Sequence, residues 1–242
     1  MTQIPWSLSK TFRMVFDLRF KENFKIFLSG PSGCGKTTFI MDLVKNLGDV
    51  CVSPPSKIIY FYKEWQPKFS DIQSMLGINF IEDNDSIIEQ IKEFDTSALV
   101  IFDDMLNSTN LKAVAQLFTV YGRHLNLSLA FLTQRLFNNN EFFRQISQNC
   151  DYMCIFKNPR NSMEIRTLAQ QITPRTLELL DIYQKATKEP YSYILINLTQ
   201  EGLQQLKYVN NMFSKAHVCK KNVLFQNPMP YLHKQSVLHT VR

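Results

Sequence analysis

The strongest chemical signal in the chain is the octapeptide Gly30-Pro31-Ser32-Gly33-Cys34-Gly35-Lys36-Thr37. It matches the pattern G-x-x-x-x-G-K-[ST], in which a loop binds the phosphates of a nucleotide. Its glycines let several backbone N–H groups face one anion, and the following helix adds the positive end of its dipole. Lys36 then reaches the β- and γ-phosphates, and the Thr37 hydroxyl binds Mg²⁺. We expect this loop, together with Thr38, to bind ATP.

A pair of carboxylates, Asp103 and Asp104, could complete this site. They follow the apolar run 97–102, which is typical of a central strand that is buried on both faces. Ligands of open α/β sheets lie at the carboxyl ends of strands, so Asp103 could hold Mg²⁺ directly or through water. Asp104 could orient or deprotonate an attacking water. The alternative is an ordinary strand followed by an aspartate that caps a helix.

The surrounding sequence alternates between strand and helix patterns. We predict strands at 25–29, 57–62, 97–102, 127–132, 152–156 and 193–196. We predict helices at 38–47, 86–94, 111–123, 141–148, 162–172 and 176–187, the second opened by a capping box of Ser86 and Glu89. This alternation indicates an α/β fold with a mainly parallel central sheet and helices on both faces. The strand at 57–62, between the loop and the acidic strand, and the second acid resemble the additional-strand class of P-loop NTPases, the RecA- and FtsK-like type.

Length and composition fit one large domain. The 242 residues are 45% hydrophobic, which is enough for a full core. We divide the chain into a lead-in at 1–24, a P-loop ATPase core at 25–200 and a tail at 201–242. No apolar run approaches the roughly 18 residues of a membrane span. The five cysteines lack paired spacing, and His124 lacks partners at metal-ligand spacing, so we expect an intracellular protein without a structural metal.

Positive charge is concentrated at the carboxyl-terminal end. The whole chain has a formal net charge of +6. The segment 201–242 contains six Lys and Arg against one acid, Glu201. Such a tail suggests an acidic partner, with nucleic acid first. The alternative is a solvated tail without a ligand.

Four stretches carry a more specific resemblance. They are F-L-S-G-P-S-G-C-G-K-T-T-F at 27–39, Y-F-Y-K-E-W-Q-P at 60–67, G-R-H-L-N at 122–126 with F-L-T-Q-R-L-F at 131–137, and F-K-N-P-R at 156–160. As a set they resemble the poxvirus-type genome-packaging ATPases of the FtsK–HerA superfamily, in the form carried by Polinton (Maverick) and adintovirus-like elements. The resemblance runs from about Phe24 to Phe213.

The resemblance implies a ring-shaped motor that uses ATP and Mg²⁺ to push viral double-stranded DNA into a capsid. Its partners would be DNA of any sequence and capsid or portal proteins, with no membrane. It would act in the host nucleus or cytoplasm, at sites of virion assembly. Lys36 and Thr37 match the Walker A residues, Asp103 the magnesium aspartate and Asp104 the catalytic acid, where many members carry glutamate.

Two further roles follow from the resemblance. Gln134 matches a polar sensor of the γ-phosphate, and Arg123 is our candidate for an arginine that completes the neighbouring subunit's site. Arg123 could instead only stabilise the end of its helix, and Arg135 and Arg160 are alternatives for the arginine. Gln134 could simply bond a loop backbone. We expect Trp65 to be a core aromatic.

Two other functions share these features. One is a nucleoside or nucleotide kinase, for which Lys63-Glu64 could supply the general base. The other is a nucleotide-gated assembly ATPase with little turnover. The paired aspartates and Gln134 favour the motor, and stimulation of ATP hydrolysis by DNA would distinguish it from a kinase.

Overall fold

Residues 19–83, 87–92, 97–199, 208–209 and 212–213 are described by a computed structural model. In these ranges the strands form one sheet in the order β3-β2-β4-β5-β1-β6-β7-β8. Their bounds are β1 Lys25–Ser29, β2 Lys57–Tyr62, β3 Asn79–Glu82, β4 Ala98–Asp103, β5 Leu127–Thr133, β6 Tyr152–Phe156, β7 Tyr193–Asn197 and β8 Tyr208–Val209.

The helices include the six predicted ones, with shifted or interrupted bounds in some cases, and two that were not predicted. Their bounds are α1 Lys36–Lys45, α2 Leu47–Val50, α3 Lys68–Leu76, α4 Ile87–Lys92, α5 Leu111–Gln116, α6 Gly122–His124, α7 Glu141–Gln148, α8 Ser162–Ile172 and α9 Thr176–Ala186. The two that were not predicted are α2 and α3. Ser86 of the predicted capping box lies outside the described residues.

The sheet confirms the predicted fold class. The strands from β3 to β6 in the sheet order are parallel, whereas β7 and β8 are antiparallel at one edge. β1 and β5 are buried along their whole length, which explains their continuous apolar sequences. Helices α1 to α3 cover one face, and α4, α5, α7, α8 and α9 cover the other.

The order of the strands corrects one detail of the sequence prediction. Two strands, β2 and β3, come between β1 and β4 in the chain, whereas we predicted one. β3 was missed because it is a four-residue edge strand whose side chains are only partly buried. In the sheet, β5 separates β1 from β4, and β2 lies on the outer side of β4. The sheet therefore has the additional-strand arrangement, with β5 as the strand between β1 and β4. The order of the strands along the chain did not indicate this position of β5.

The predicted helix 111–123 contains a wider turn. A π-helical segment, Leu117–Tyr121, joins α5 to α6. The buried Lys25 ammonium donates a hydrogen bond to the Phe118 carbonyl within that segment. A Cβ on Gly122 would lie 2.7 Å from the Leu117 carbonyl oxygen. The wide turn therefore depends on a lysine donor and on a residue without a side chain.

The packed core extends beyond both predicted domain boundaries. Phe20 and Phe24 are fully buried, although both lie in the predicted lead-in. At the other end, β8 pairs with β7, Met212 is buried and Phe213 packs against Phe39. The core therefore includes Phe20, Phe24, Val209 and Met212, because these aromatic, β-paired and apolar residues cover the sheet. Most of the basic tail lies outside the described residues.

The described helices are all too short, or too polar, to cross a membrane.

Candidate nucleotide-binding site

A cavity of about 450 Å³ opens at the carboxyl ends of β1, β4 and β5. It is lined by Ser32, Gly33, Gly35, Lys36, Thr37, Thr38, Gln66, Asp103, Asp104, Leu132, Thr133, Gln134 and Tyr191. The fold thus brings most of the predicted phosphate loop, both aspartates and Gln134 to one place. The position agrees with the expectation for open α/β sheets, whose ligands lie at the carboxyl ends of the strands.

The phosphate loop leads directly from β1 into α1. Gly33 and Gly35 have φ angles of 73° and 106°, in the left-handed region that favours glycine. No side chain caps the start of α1, and its first turn contains no acidic residue. The first N–H groups of the helix and its positive dipole end are therefore suited to an anion.

Gly30 is required for a different reason, which is close packing. A Cβ at this position would lie 2.6 Å from the Cys34 sulfur and 2.7 Å from the Phe156 Cβ. Phe156, at the end of β6, therefore supports the loop from behind and leaves no room for a side chain. Burial raises the pKa of the Cys34 thiol, so this thiol stays protonated. Cys34 contributes to the loop by packing.

The Lys36 side chain folds over its own loop. Its Nζ donates hydrogen bonds to the Gly30 carbonyl at 2.7 Å and to the Pro31 carbonyl at 3.0 Å. Both acceptors are neutral, and an ionised phosphate is a stronger partner for an ammonium group. Lys36 is therefore held at the cavity by contacts that a phosphate group can replace.

Asp103 is held by a buried tyrosine beside Thr37. The Tyr60 hydroxyl donates a hydrogen bond of 2.6 Å to Asp103 Oδ2, and Thr37 lines the same cavity as Asp103. Burial strongly raises the pKa of Tyr60, and the neighbouring Asp103 charge raises it further, so the tyrosine remains a neutral donor. Sequence reasoning missed Tyr60, because nothing local separates it from the other aromatic residues of β2.

These oxygens suit Mg²⁺. This ion commonly takes one or two protein ligands, with phosphate oxygens and water completing its shell. A hydroxyl and a carboxylate beside the phosphate loop match that need. Among the described residues, no group of three or more His, Cys, Asp and Glu could hold a metal by itself. A magnesium ion would therefore depend on the nucleotide for part of its coordination.

Asp104 and Gln134 face each other across the cavity. The Gln134 amide lies 3.4 Å from Asp104 Oδ2, within hydrogen-bonding distance. Asp104 has a φ of 55° and precedes a 3-10 turn at Met105–Asn107, which its carboxylate does not cap. The helix-capping alternative for Asp104 therefore does not apply. Its side chain is exposed to the cavity, where a water molecule could reach it.

Arg123 lies far from this cavity. It is exposed on α6, just before the amino end of β5, whereas the cavity lies beyond the carboxyl end. A seven-residue strand separates these ends, a distance of about 20 Å. Burial lowers the pKa of Lys25, which starts β1 at that same far end of the sheet; the charge of Asp151 opposes this shift and the charge of Arg123 adds to it. Arg123 therefore cannot complete the site of its own subunit.

The alternative arginines follow strands that end near the cavity. Arg135 comes two residues after β5, and Arg160 comes four residues after β6. Both are exposed, and neither lines the cavity.

Three other aromatic or polar residues stand near the cavity. Gln66 and Tyr191 line it, and sequence reasoning missed both. Trp65 is 47% exposed and packs edge-on against Tyr62 and Phe69, with ring centroids 5.4 and 5.6 Å apart. The expectation that Trp65 is a core residue was wrong, because the segment that follows β2 carries it to the rim of an aromatic cluster.

Comparisons with known proteins agree with this arrangement. Residues 26–131, which include the phosphate loop and both aspartates, match a family model described as RNA helicase. No curated protein sequence matches the chain.

Several solved structures share the fold. One is B204, the DNA-packaging ATPase from Sulfolobus turreted icosahedral virus, with a TM-score of 0.52, 13% identity and coverage of 73% of this chain and 93% of that one. The genome-packaging NTPase B204 from Sulfolobus turreted icosahedral virus 2, in complex with ATP-gammaS, has a TM-score of 0.50 and 16% identity, covering 74% and 95%. The cytoplasmic domain of the Thermomonospora curvata type VII secretion ATPase EccC has a TM-score of 0.50 and 16% identity, covering 78% and 25%.

These identities are low, so the similarity establishes the fold. Together with the strand order and the phosphate loop, it shows that the chain has an α/β P-loop NTPase fold of the additional-strand type.

Proposed function

We propose that this protein is a Mg-ATP hydrolase that moves double-stranded DNA. The observation that carries this proposal is the meeting of Lys36, Asp103, Asp104 and Gln134 in one cavity, from separate segments of the chain. A cation for phosphates, an oxygen for Mg²⁺, an acid for water and an amide beside that acid are the parts that ATP hydrolysis requires.

Each side chain has a role in the proposed reaction. The loop N–H groups and Lys36 bind and orient the β- and γ-phosphates. Bound Mg²⁺, held through Thr37 and Asp103, would neutralise phosphate charge. Asp104 orients the attacking water or accepts its proton. Gln134 holds the Asp104 carboxylate and detects whether the γ-phosphate is present.

We further propose that the motor packages a viral genome, in the manner of the Polinton and adintovirus-like ATPases. The four sequence strings support this role, as does the shared fold with two proteins described as genome-packaging enzymes. Its partners would be DNA and capsid or portal proteins, and it would work as a ring at sites of virion assembly in the host nucleus or cytoplasm.

The decisive experiment is the ATPase rate at several protein concentrations, with and without double-stranded DNA. A motor should hydrolyse ATP faster with DNA and faster per subunit at higher concentration. A kinase should ignore DNA, and a nucleotide-gated assembly protein should stop after about one turnover. Lys63 and Glu64, considered above for a kinase, are exposed and do not line the cavity.

DNA binding gives a second test. A translocase contacts phosphates rather than base edges, so its affinity should be independent of sequence and fall steeply with salt. Truncation after Lys215 removes Lys220, Lys221, Lys234 and Arg242. If the tail contacts DNA, this truncation should make the salt dependence shallower and preserve the basal ATPase rate. An unchanged slope would move the DNA contact to the core.

A further inference from the structure

The Tyr60 hydroxyl is hydrogen-bonded to Asp103, one of the two residues that we assign to Mg²⁺. Tyr60 on β2 pairs in register with Ile101 on β4, and Asp103 is two residues further along. Side chains alternate along a strand, so Ile101 and Asp103 point to the same face, and the tyrosine reaches the aspartate diagonally. The ring is fully buried and packs against Phe69 and Phe80, with centroids 5.3 and 5.1 Å away.

We propose that Tyr60 is a positioning residue that orients the Asp103 carboxylate of the magnesium site; this role rests on the proposed ATPase function. A tyrosine hydroxyl has one proton, and Tyr60 donates it to Asp103 Oδ2 at 2.6 Å. This hydrogen bond fixes the orientation of the carboxylate beside the phosphate loop, as the partners of metal ligands do elsewhere.

The test is the magnesium dependence of nucleotide binding in the full chain. We would titrate Mg²⁺ into Tyr60→Phe with a fluorescent, non-hydrolysable ATP analogue. The midpoint for Mg²⁺ should rise about 10- to 100-fold, as when partners of metal ligands are removed elsewhere. Affinity measured in EDTA should stay at the wild-type value, because the variant keeps the ring and its packing. A wild-type affinity for the analogue in EDTA would also show that the variant is correctly folded. Tyr62→Phe, which removes a hydroxyl two residues along the strand, should keep the wild-type midpoint.

A double variant separates positioning from general loss of structure. If Tyr60 acts through Asp103, adding Tyr60→Phe to Asp103→Asn should weaken Mg²⁺ binding little further. A wild-type midpoint in Tyr60→Phe, or full additivity in the double variant, would overturn the role of the tyrosine. A wild-type protein that binds the analogue equally well with Mg²⁺ and with EDTA would instead overturn the proposed Mg-ATP chemistry.

A second, independent feature is the exposed Tyr191. It is 72% exposed and has a φ of 60°, which is a strained conformation for a bulky residue. It lines the cavity beside Gly35, where a Cβ on the glycine would lie 3.8 Å from the Tyr191 Cβ. Two hydrogen bonds tie its turn to the end of β6, from Lys157 Nζ to the Lys188 carbonyl at 2.8 Å and from Lys157 N to the Ser192 carbonyl at 3.2 Å.

We infer that Tyr191 is a stacking platform for the base of the nucleotide, an inference that also rests on the proposed function. Among the described residues that line the cavity, Tyr191 is the only aromatic one. An exposed ring beside the start of α1 offers an apolar face next to the phosphate loop. Every nucleobase has a flat face, so such stacking strengthens binding without selecting a particular base.

Inorganic tripolyphosphate, a ligand without a base, separates stacking on the base from binding of the phosphates. Tyr191→Ala should bind ATP about tenfold more weakly or worse, whereas Tyr191→Phe should bind it as wild type does. All three proteins should bind tripolyphosphate equally, and GTP and CTP should follow ATP.

These outcomes distinguish a failure of the stacking role of Tyr191 from a failure of the proposed nucleotide-binding function. Equal loss for ATP and tripolyphosphate in Tyr191→Ala, or no loss for ATP, would overturn the stacking role. Failure of the wild type to bind either ligand would overturn the nucleotide function itself.

Discussion

At the scale of single residues, the phosphate loop depends on the side chains packed behind it as well as on its own glycines. Gly33 and Gly35 adopt left-handed backbone conformations. Gly30 is needed because a side chain at this position would clash with Cys34 and Phe156. The pattern G-x-x-x-x-G-K-[ST] therefore combines two physical requirements, one conformational and one steric.

Gly30→Ala tests the steric requirement. Its Cβ would overlap the Phe156 Cβ, which cannot rotate away, so the loop must shift. We expect a loss of about 1–3 kcal/mol in the free energy of unfolding, together with weakened ATP binding. Gly48→Ala is the matched control, since a Cβ there meets nothing within 4 Å. Denaturant unfolding and nucleotide titration would measure both effects, and wild-type behaviour of Gly30→Ala would contradict the packing argument.

A second prediction at this scale concerns Asp104, the acid that we propose activates water. Asp104→Asn preserves size and removes the charge, so ATP should bind normally while hydrolysis is lost. Lys36→Ala should lose hydrolysis and also weaken binding, because it removes a cation from the phosphates. Single-turnover hydrolysis and equilibrium binding, measured on both variants, separate these outcomes. Normal turnover in Asp104→Asn would rule out Asp104 as the catalytic acid.

At the scale of elements, the segment between α5 and β5 combines a π-helical turn with a candidate functional arginine. Lys25 bonds the Phe118 carbonyl within the turn, and Gly122 lies against the Leu117 carbonyl five residues earlier. π-Helical turns are frequent at functional sites. This turn sets the position of α6, and therefore of Arg123 on the surface.

Gly122→Ala should disturb this element. The new Cβ would lie 2.7 Å from a backbone oxygen and 3.1 Å from a Leu129 methyl carbon, so the end of the helix must move. We expect a destabilisation of about 1–3 kcal/mol, measured by chemical unfolding. Val120→Ala is the control, because that side chain is half exposed on the same segment. Equal stability of the two variants would show that the turn tolerates a side chain.

At the scale of the whole molecule, the cavity and Arg123 lie at opposite ends of the strands. The cavity is at the carboxyl end of β5, and Arg123 is at its amino end. If Arg123 acts on a neighbouring subunit, as we propose, this separation suits a head-to-tail assembly, in which each subunit completes its neighbour's site. Head-to-tail contacts close into rings when the rotation between subunits permits.

The trans role of Arg123 can be tested by mixing variants. Arg123→Ala should bind ATP normally and hydrolyse it about 10³-fold more slowly. Mixing it with Lys36→Ala should restore part of the rate. At some mixed interfaces, the Lys36→Ala subunit then supplies Arg123 to the intact nucleotide site of an Arg123→Ala subunit. Arg135→Ala and Arg160→Ala in the same assay would identify the arginine if Arg123 is not the one. No rescue, with turnover independent of concentration, would contradict a trans arginine at position 123.

The buried thiols predict how stability depends on pH. Burial raises the pKa of Cys51 from 9.0 to about 12, and the pKa values of Cys34, Cys150 and Cys154 are also raised. The folded chain therefore keeps protons that the unfolded chain releases above pH 9. For Cys51, this stability should be fully present below pH 9 and fall by about 1.4 kcal/mol per pH unit between pH 9 and about 12; the other three thiols should change stability in the same direction.

Urea unfolding at pH 8 and at pH 10 would measure this loss. Cys51→Ala should reduce the difference between the two pH values. A wild-type difference in that variant would show that Cys51 does not contribute.

Most of the elements could be predicted from the sequence, because local periodicity reflects burial. α7, β6 and α8 begin and end where the pattern places them, and the phosphate loop was identified from adjacent residues. The edge strand β3 was missed because it is short and half exposed, so its pattern is weak. Asp103, Asp104 and Gln134 were placed together because carboxyl ends of parallel strands share one edge.

The sequence by itself determined the α/β class and pointed to the phosphate loop and the two candidate acids, since these depend on residues close together in the chain. Only the tertiary structure decided that β5 separates β1 from β4, that Tyr60 reaches Asp103 across 43 positions, and that Phe156 closes the space behind Gly30. It also decided that Arg123 lies at the amino end of β5, whereas the cavity lies at the carboxyl end. The physical reason is that strand order and contacts between distant residues are set by how crossovers pack, which local sequence patterns do not record.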